Sequence, residues 1–113
     1  MNEVDDLVQQ PTFGETVGVT AELFALRPVR AGRIIAFADV RILVAGVEFV
    51  VNGVQVSRAR DTSGREATSV TVPTYRDEGG RWVAAIELPD ELRKPLGDTV
   101  LEACVERGLC RRS

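Results

Sequence analysis

The feature that most constrains this chain is a run of alternating apolar residues from Arg33 to Val44. Ile34, Ala36, Ala38, Val40, Ile42 and Val44 fall at every second position, and that spacing puts them on one face of an extended strand. The intervening positions, Ile35, Phe37, Asp39, Arg41 and Leu43, are apolar at the start and charged midway. A strand apolar on both faces at one end is expected to pack there against a helix or a second subunit.

Around this strand the rest of the domain can be laid out. Val17, Val19, Ala21, Leu23 and Ala25 alternate in the same way and predict a strand ending at Arg27-Pro28, with a turn at Ala31-Gly32. Ala45-Gly46 closes the long strand, and Val47 to Val56 follows. Asn52-Gly53 inside that segment has two readings. As a hairpin turn it would leave only a stub from Val47 to Val51. As a bulge it keeps one continuous strand, which matches the length of its neighbour better. Arg58 to Ala67 is polar, with Asp61, Thr62, Ser63 and Gly64 marking a loop. Ser69 to Tyr75 predicts a short strand interrupted by Pro73, which belongs at an edge or a strand end. Asp77-Glu78-Gly79-Gly80 is a turn, and Arg81 to Leu88 predicts the next strand, with Trp82 expected in the core. A helix closes the chain. Asp90 is placed to cap a first turn through Arg93, and Pro95 suits a helix start. Leu96, Val100, Ala103 and Cys104 share a face, Gly108 stops the helix, and Arg107 complements its dipole. No internal repeat or low-complexity segment is evident.

The expected fold class is therefore α+β: a twisted antiparallel β-sheet of about five strands with one C-terminal α-helix. Residues 17–110 form the domain, residues 1–16 a flexible acidic arm, and residues 111–113 a basic tail. At 113 residues, 44% of them hydrophobic and 27% charged, one small globular domain is the expectation. No apolar run approaches the roughly 18–20 residues that cross a bilayer, and the acidic start lacks the pattern of a secretory signal. A cytoplasmic protein without a membrane partner follows as the expectation.

Charge is unevenly distributed. Residues 1–16 carry Glu3, Asp5, Asp6 and Glu15 and no basic residue, so the remainder balances 14 basic against 13 acidic side chains. From Leu23 to Arg65 there are seven arginines against Asp39, Glu48 and Asp61; from Asp77 to Glu106 eight acids face Arg81, Arg93 and Lys94. A basic block of this kind reads either as a phosphate-binding face or as solvated strand edge.

Catalysis is not expected. The chain has no histidine, which removes the commonest general base and metal ligand together. The acidic pairs Asp77-Glu78 and Asp90-Glu91 sit at a turn and a helix start, where acids serve structure. Cys104 and Cys110 are too few and too widely spaced for a zinc site, and read as one buried and one tail thiol or as an inter-subunit disulfide. No cofactor or metal is expected. Tyr75-Arg76 offers a planar ring beside a guanidinium, which suits either a base and a phosphate or a plain strand edge.

The segment Gly32 to Val56, GRIIAFADVRILVAGVEFVVNGVQV, resembles the long β-hairpin of the stage V sporulation protein G family of bacterial septation regulators, FVVNGVQV being its most specific part. VTVPTYR, GGRWVAAIELP and DTVLEACVERG continue the resemblance in order, over about Val19 to Gly108. It implies a non-enzymatic regulator of septation or sporulation type that pairs through its sheet into a homodimer and binds DNA or RNA. It favours the bulge at Asn52-Gly53 and a helix at 98–107. Arg76 matches one residue of the family's basic pair and Arg93 the arginine before the helix; Tyr75 replaces the first basic residue of the pair, and Glu102 and Glu106 make the helix more acidic. The nucleic-acid-binding residues expected on this reading are Arg58, Arg60, Tyr75, Arg76 and Arg93. Two alternatives stand beside it. One is an adaptor that docks on another regulatory protein. The other rests on AIELPDELRKPLGDTV, which resembles the looped-hinge segment of transition-state-regulator and antitoxin DNA-binding domains and implies a strand at 98–107.

Overall fold

The alternating runs form strands in the computed structural model, which describes residues 18–111. The expected acidic arm, Val17 and most of the basic tail lie outside the described residues. In chain order the elements are β1 (Val19–Ala31), β2 (Ile34–Val44), β3 (Val47–Arg60), β4 (Glu66–Thr71), β5 (Thr74–Arg76), β6 (Trp82–Ala84) and α1 (Asp90–Glu106). β1 to β4 make one antiparallel sheet in sequence order, and β5 and β6 make a separate antiparallel ribbon. The α+β class is as expected, but among the described residues the strands number six in two sheets rather than about five in one.

Two-residue turns close the first two hairpins. Ala31 pairs with Ile34 across Gly32-Arg33, where only Gly32 has a positive φ, as a type II′ turn requires. Val44 pairs with Val47 across Ala45-Gly46, where both residues have positive φ, the type I′ pattern. Ala45, at φ 52°, sits in a region that disfavours a Cβ.

Asn52-Gly53 is a bulge. Val40 pairs with Val51 and Ala38 with Val54, so two residues of β3 oppose the single Asp39 of β2. β3 therefore stays continuous for 14 residues. β1 also bulges, at Phe24, which moves its buried positions from the odd-numbered residues to Leu26. It continues past Pro28 to Ala31, beyond the expected end. As an edge strand it tolerates a residue without an N–H where no neighbour needs a donor.

Two expected strands are shorter than their patterns. The one predicted over Ser69 to Tyr75 divides at Val72-Pro73 because Pro73 cannot donate to the ladder with β3, and Thr74 onward pairs with β6 instead. Of the strand predicted over Arg81 to Leu88 only Trp82–Ala84 pairs, while Ile86 and Leu88 pack on the core outside any strand. Trp82 is not in that core; it is 65% exposed.

The core lies between one sheet face and α1. Ala36, Ala38, Val40 and Ile42 of β2, Val54 and Val56 of β3, and Val100 and Cys104 of the helix are fully buried. On α1 the buried residues are Leu92, Leu96, Val100 and Cys104, one stripe at i, i+4 spacing. That stripe needs an unbroken helix through Pro95, so the helix does not start there, despite the backbone hydrogen bond that Pro95 cannot donate. Pro89 is the N-cap, and Asp90 and Glu91 occupy the first turn, where negative charge complements the dipole. Thr99 Oγ1 donates to the Ala21 carbonyl at 3.3 Å, fixing the helix over β1. At the far end Gly108 has φ 74°, its N–H reaches the Val105 carbonyl, and the Leu109 N–H reaches the Cys104 carbonyl at 2.8 Å. These two bonds make a Schellman stop. Arg107 is the C-cap itself, and its guanidinium donates to the Leu26 carbonyl at 3.4 Å rather than to the last helical turn. Residues 98–107 are thus not the strand that the looped-hinge resemblance implies.

Candidate nucleic-acid interface

The five residues singled out in the sequence fall into three places. Arg58 and Arg60 are at the end of β3, in the strand rather than in a loop. The β1–β2 turn lies beside them, for the Arg58 N–H donates to the Arg33 carbonyl at 2.8 Å and Arg33 Nε donates to the Arg58 carbonyl at 3.1 Å. This juxtaposition gathers Arg30, Arg33, Arg58, Arg60 and Arg65 at one end of the sheet, with Arg111 arriving from beyond the helix. Two adjoining clefts open there, of about 760 and 730 Å³. They share Ile35, Arg58, Gly108 and Leu109; Arg30 lines the first and Arg111 the second. Guanidinium groups beside Ile35 and Leu109 suit a ligand with anionic groups.

Two carboxylates at this end have local work. Asp61 accepts from Ser63 Oγ at 2.7 Å, from the Ser63 N–H at 2.9 Å and from the Arg65 N–H at 3.0 Å. The Ser63 hydroxyl, then the backbone N–H groups, hold its carboxyl below the usual range. Glu66 lies 3.8 Å from Arg58 with both side chains exposed, a pairing worth well under about 1 kcal/mol. The surplus at this end is positive.

The loop at Asp61 recurs. Asp61-Thr62-Ser63-Gly64-Arg65 and Asp77-Glu78-Gly79-Gly80-Arg81 close their hairpins with the same bonds: the Asp N–H to the Arg carbonyl, the Gly N–H to the Asp carbonyl, and the Arg N–H to Asp Oδ1. Gly64 and Gly80 both have positive φ, at 86° and 82°. With the preceding residue each reads Arg-Asp-x-x-Gly-Arg, a short repeat that the sequence reading passed over. Both hairpin tips thereby carry a pair of arginines.

Tyr75 and Arg76 are on the β5–β6 ribbon. Neighbours in a strand point to opposite faces, so ring and guanidinium do not form one platform. Arg76 instead pairs directly with Trp82, and its Cζ lies 5.1 Å from the indole centroid. Tyr75 pairs with Val83 and is 52% exposed on the other face. The exposed indole is the functional candidate that sequence reasoning missed. Counting outward from the Asp77–Arg81 closure would have placed residue 82 opposite residue 76.

Arg93 stands apart. It sits in the first turn of α1 in an ion pair with Asp90. Arg58 lines a cleft with Gly108, beyond the other end of a helix that rises roughly 20 Å from Arg93 to Glu106 at 1.5 Å per residue. The structure joins Arg58 with Arg60 and leaves Arg93 at the opposite helix end.

The sheet face away from α1 carries a charge lattice and exposed apolar groups. Arg41 Nη1 is 3.3 Å from Glu22 and its Nε 3.0 Å from Glu48, and its guanidinium lies over the Phe24 ring at 5.3 Å. Arg27 holds Asp39 at 2.8 Å, and Asp39 Oδ1 also accepts the Gly53 N–H at 3.0 Å. The Arg27 hydrogen bond first, and the Gly53 N–H in support, keep the Asp39 carboxyl below its usual range against the opposing effect of burial. Phe24, Leu43 and Val50 are exposed on this face.

Both thiols are free. Cys104 is fully buried in the core, and Cys110 is half-buried against it rather than out on the tail. Burial, then the neighbouring Cys110, pushes the Cys104 thiol up. Among the described residues no cluster of three or more Cys, Asp or Glu side chains is arranged to hold a metal ion, and no helix is long and apolar enough to cross a membrane. No family model, curated protein or solved structure matches this chain.

Proposed function

We propose that this chain is a non-enzymatic bacterial regulator of septation or sporulation type, acting in the cytoplasm as a homodimer that binds DNA or RNA, as its resemblance to the stage V sporulation protein G family implies. The observation that carries the reading is the placing of Arg30, Arg58 and Arg111 on two adjoining clefts at one end of the sheet, with Arg33 bonded to Arg58 and with Arg60 and Arg65 at the same strand end. Arginines supply bidentate phosphate contacts, and several at one end give an electrostatic footprint that a scattered set does not. The absence of histidine and the structural employment of Asp61, Asp77 and Asp90 support a binding rather than a catalytic role. Exposed Phe24, Leu43 and Val50 support a second copy covering the sheet face opposite α1.

A mobility-shift titration with short DNA and RNA tests the reading. Retardation at low salt that weakens in Arg58→Ala/Arg60→Ala is the expected result. Absence of retardation, together with a partner protein retained at high salt, would replace it with the adaptor reading. Light scattering of the full chain tests the dimer: the expected mass is twice 12.3 kDa, and a monomer at micromolar concentration contradicts it.

A further inference from the structure

We infer that the β5–β6 ribbon is a stacking platform for an unpaired base of a single-stranded nucleic acid, with Trp82 as the stacking ring and Arg76 as its phosphate contact. The inference rests on the nucleic-acid reading above and names the form of nucleic acid bound.

Trp82 is the chain's one tryptophan and its largest apolar side chain, yet it stands 65% exposed while the buried core consists chiefly of Val, Ala, Ile and Leu. A thin core gains more than most from burying an indole, so its exposure is a cost that packing does not explain. The ribbon that bears it is a poor structure for its own sake. Its strands are three residues each and pair only with one another, an arrangement that is marginal in water. It is nonetheless held firmly at its base. The Ala85 N–H donates to the Pro73 carbonyl at 2.8 Å, and Gln55 Nε2 donates to Thr74 Oγ1 at 3.1 Å. At its tip Asp77 ties down the Arg81 N–H at 2.9 Å.

What the ribbon presents is a flat ring with a guanidinium 5.1 Å from its centroid. That contact orients the indole and leaves a π-surface for a base, whose own ring can stack on either partner. Arg81 follows Asp77-Glu78-Gly79-Gly80 at the exit of the loop and is exposed at the ribbon tip. A base within duplex DNA keeps its faces in the stack and offers none to a side chain, so this geometry selects unpaired strands.

Because Trp82 is the sole tryptophan, its emission reports on this ribbon alone. The full chain is titrated with a labelled twelve-nucleotide oligo-dT, its RNA counterpart and a twelve-base-pair duplex, following oligonucleotide anisotropy and Trp82 emission together. The expected result is quenching of Trp82 by either single strand at the same midpoint as the anisotropy change, and little quenching by duplex. Trp82→Ala should weaken single-strand binding roughly 5- to 150-fold, the effect of one stacked base. Trp82→Phe should retain most of the affinity, and duplex affinity should move less than twofold in both. Single-strand binding with unchanged emission and a Trp82→Ala effect under twofold overturns the platform while leaving the nucleic-acid reading standing. Absence of binding to all three probes overturns both. Emission that responds to protein concentration but to no oligonucleotide overturns the platform and assigns the ribbon to contact with a second copy.

Discussion

Replacing Asp39 by alanine removes the group that makes the β3 bulge affordable. The bulge leaves the Gly53 N–H without a ladder partner, and Asp39, the residue opposite it, accepts that hydrogen at 3.0 Å. A hydrogen bond to a carboxylate contributes about 1.5–3 kcal/mol, and the half-buried position of Gly53 admits some water, which favours the lower part of that range. The same carboxylate meets Arg27 at 2.8 and 3.3 Å, but the Arg27 guanidinium lies in solvent and this pair adds little. Asp39→Ala should therefore cost about 1.5–2 kcal/mol, a fall in Tm of roughly 6–15 °C for a domain of this size. Asp39→Asn keeps an acceptor for Gly53 and should cost less than Asp39→Ala; Arg27→Ala should cost the least of the three. Urea denaturation followed by far-ultraviolet circular dichroism, at one fixed protein concentration because of the proposed dimer, measures all three. An Asp39→Ala variant no less stable than Arg27→Ala would refute the reasoning, for the bulge N–H would then not need its acceptor.

Other consequences can be checked alongside. The Asp39 carboxyl lies below its unfolded value near 4, so its contribution is present at neutral pH and is lost as pH falls through about 4 toward the lower folded value. The stability gap between wild type and Asp39→Asn should accordingly narrow between pH 6 and pH 3, and a constant gap contradicts the assignment. Ala45→Asn should stabilise by about 0.3–1 kcal/mol, since Asn-Gly suits a type I′ turn and Ala45 now holds φ 52°; a lower urea midpoint would count against this. Gly108→Ala should cost about 1 kcal/mol by forcing a Cβ into the Schellman position at φ 74°. Cys110 should react with a thiol reagent well before Cys104, which becomes modified only as the domain opens; equal rates by mass spectrometry would contradict the burial of Cys104.

Much of the fold was legible because its main strands alternate cleanly. The inward row of β2 from Ala36 to Val44 follows from period alone, while a register shift between Ile34 and Ala36 puts Ile35 rather than Ile34 in the core, and the length mismatch around Asn52-Gly53 pointed to a bulge. The helix was legible from the spacing of Leu96, Val100 and Cys104 and from Gly108. Its first turns were not, because Pro95 argues locally against a continuing helix while burial of Leu92 and Leu96 requires one. Tertiary packing won over local propensity. The error over Trp82 has a similar source: aromatic residues usually enter small cores, and only the pairing of Arg76 with Trp82 across an isolated ribbon shows this one left outside. Among the candidate residues, Arg58 and Arg60 could be joined on paper by their strand, but Arg30, Arg33 and Arg111 reach them only through the antiparallel order of β1 to β3 and the Schellman turn. Arg93 looked equivalent in sequence and lies at the wrong end of the helix.

The central claim is that nucleic acid is held by the arginine-bearing end of the sheet. The dependence of affinity on salt tests it most directly, because each phosphate contact contributes to the slope of log K against log salt. For a short single strand the slope should become shallower by roughly 1–1.5 in Arg58→Ala/Arg60→Ala, with weaker binding at every salt concentration, and remain unchanged in Arg93→Ala. An unchanged slope in the double variant, or an equal loss in Arg93→Ala, would contradict the account.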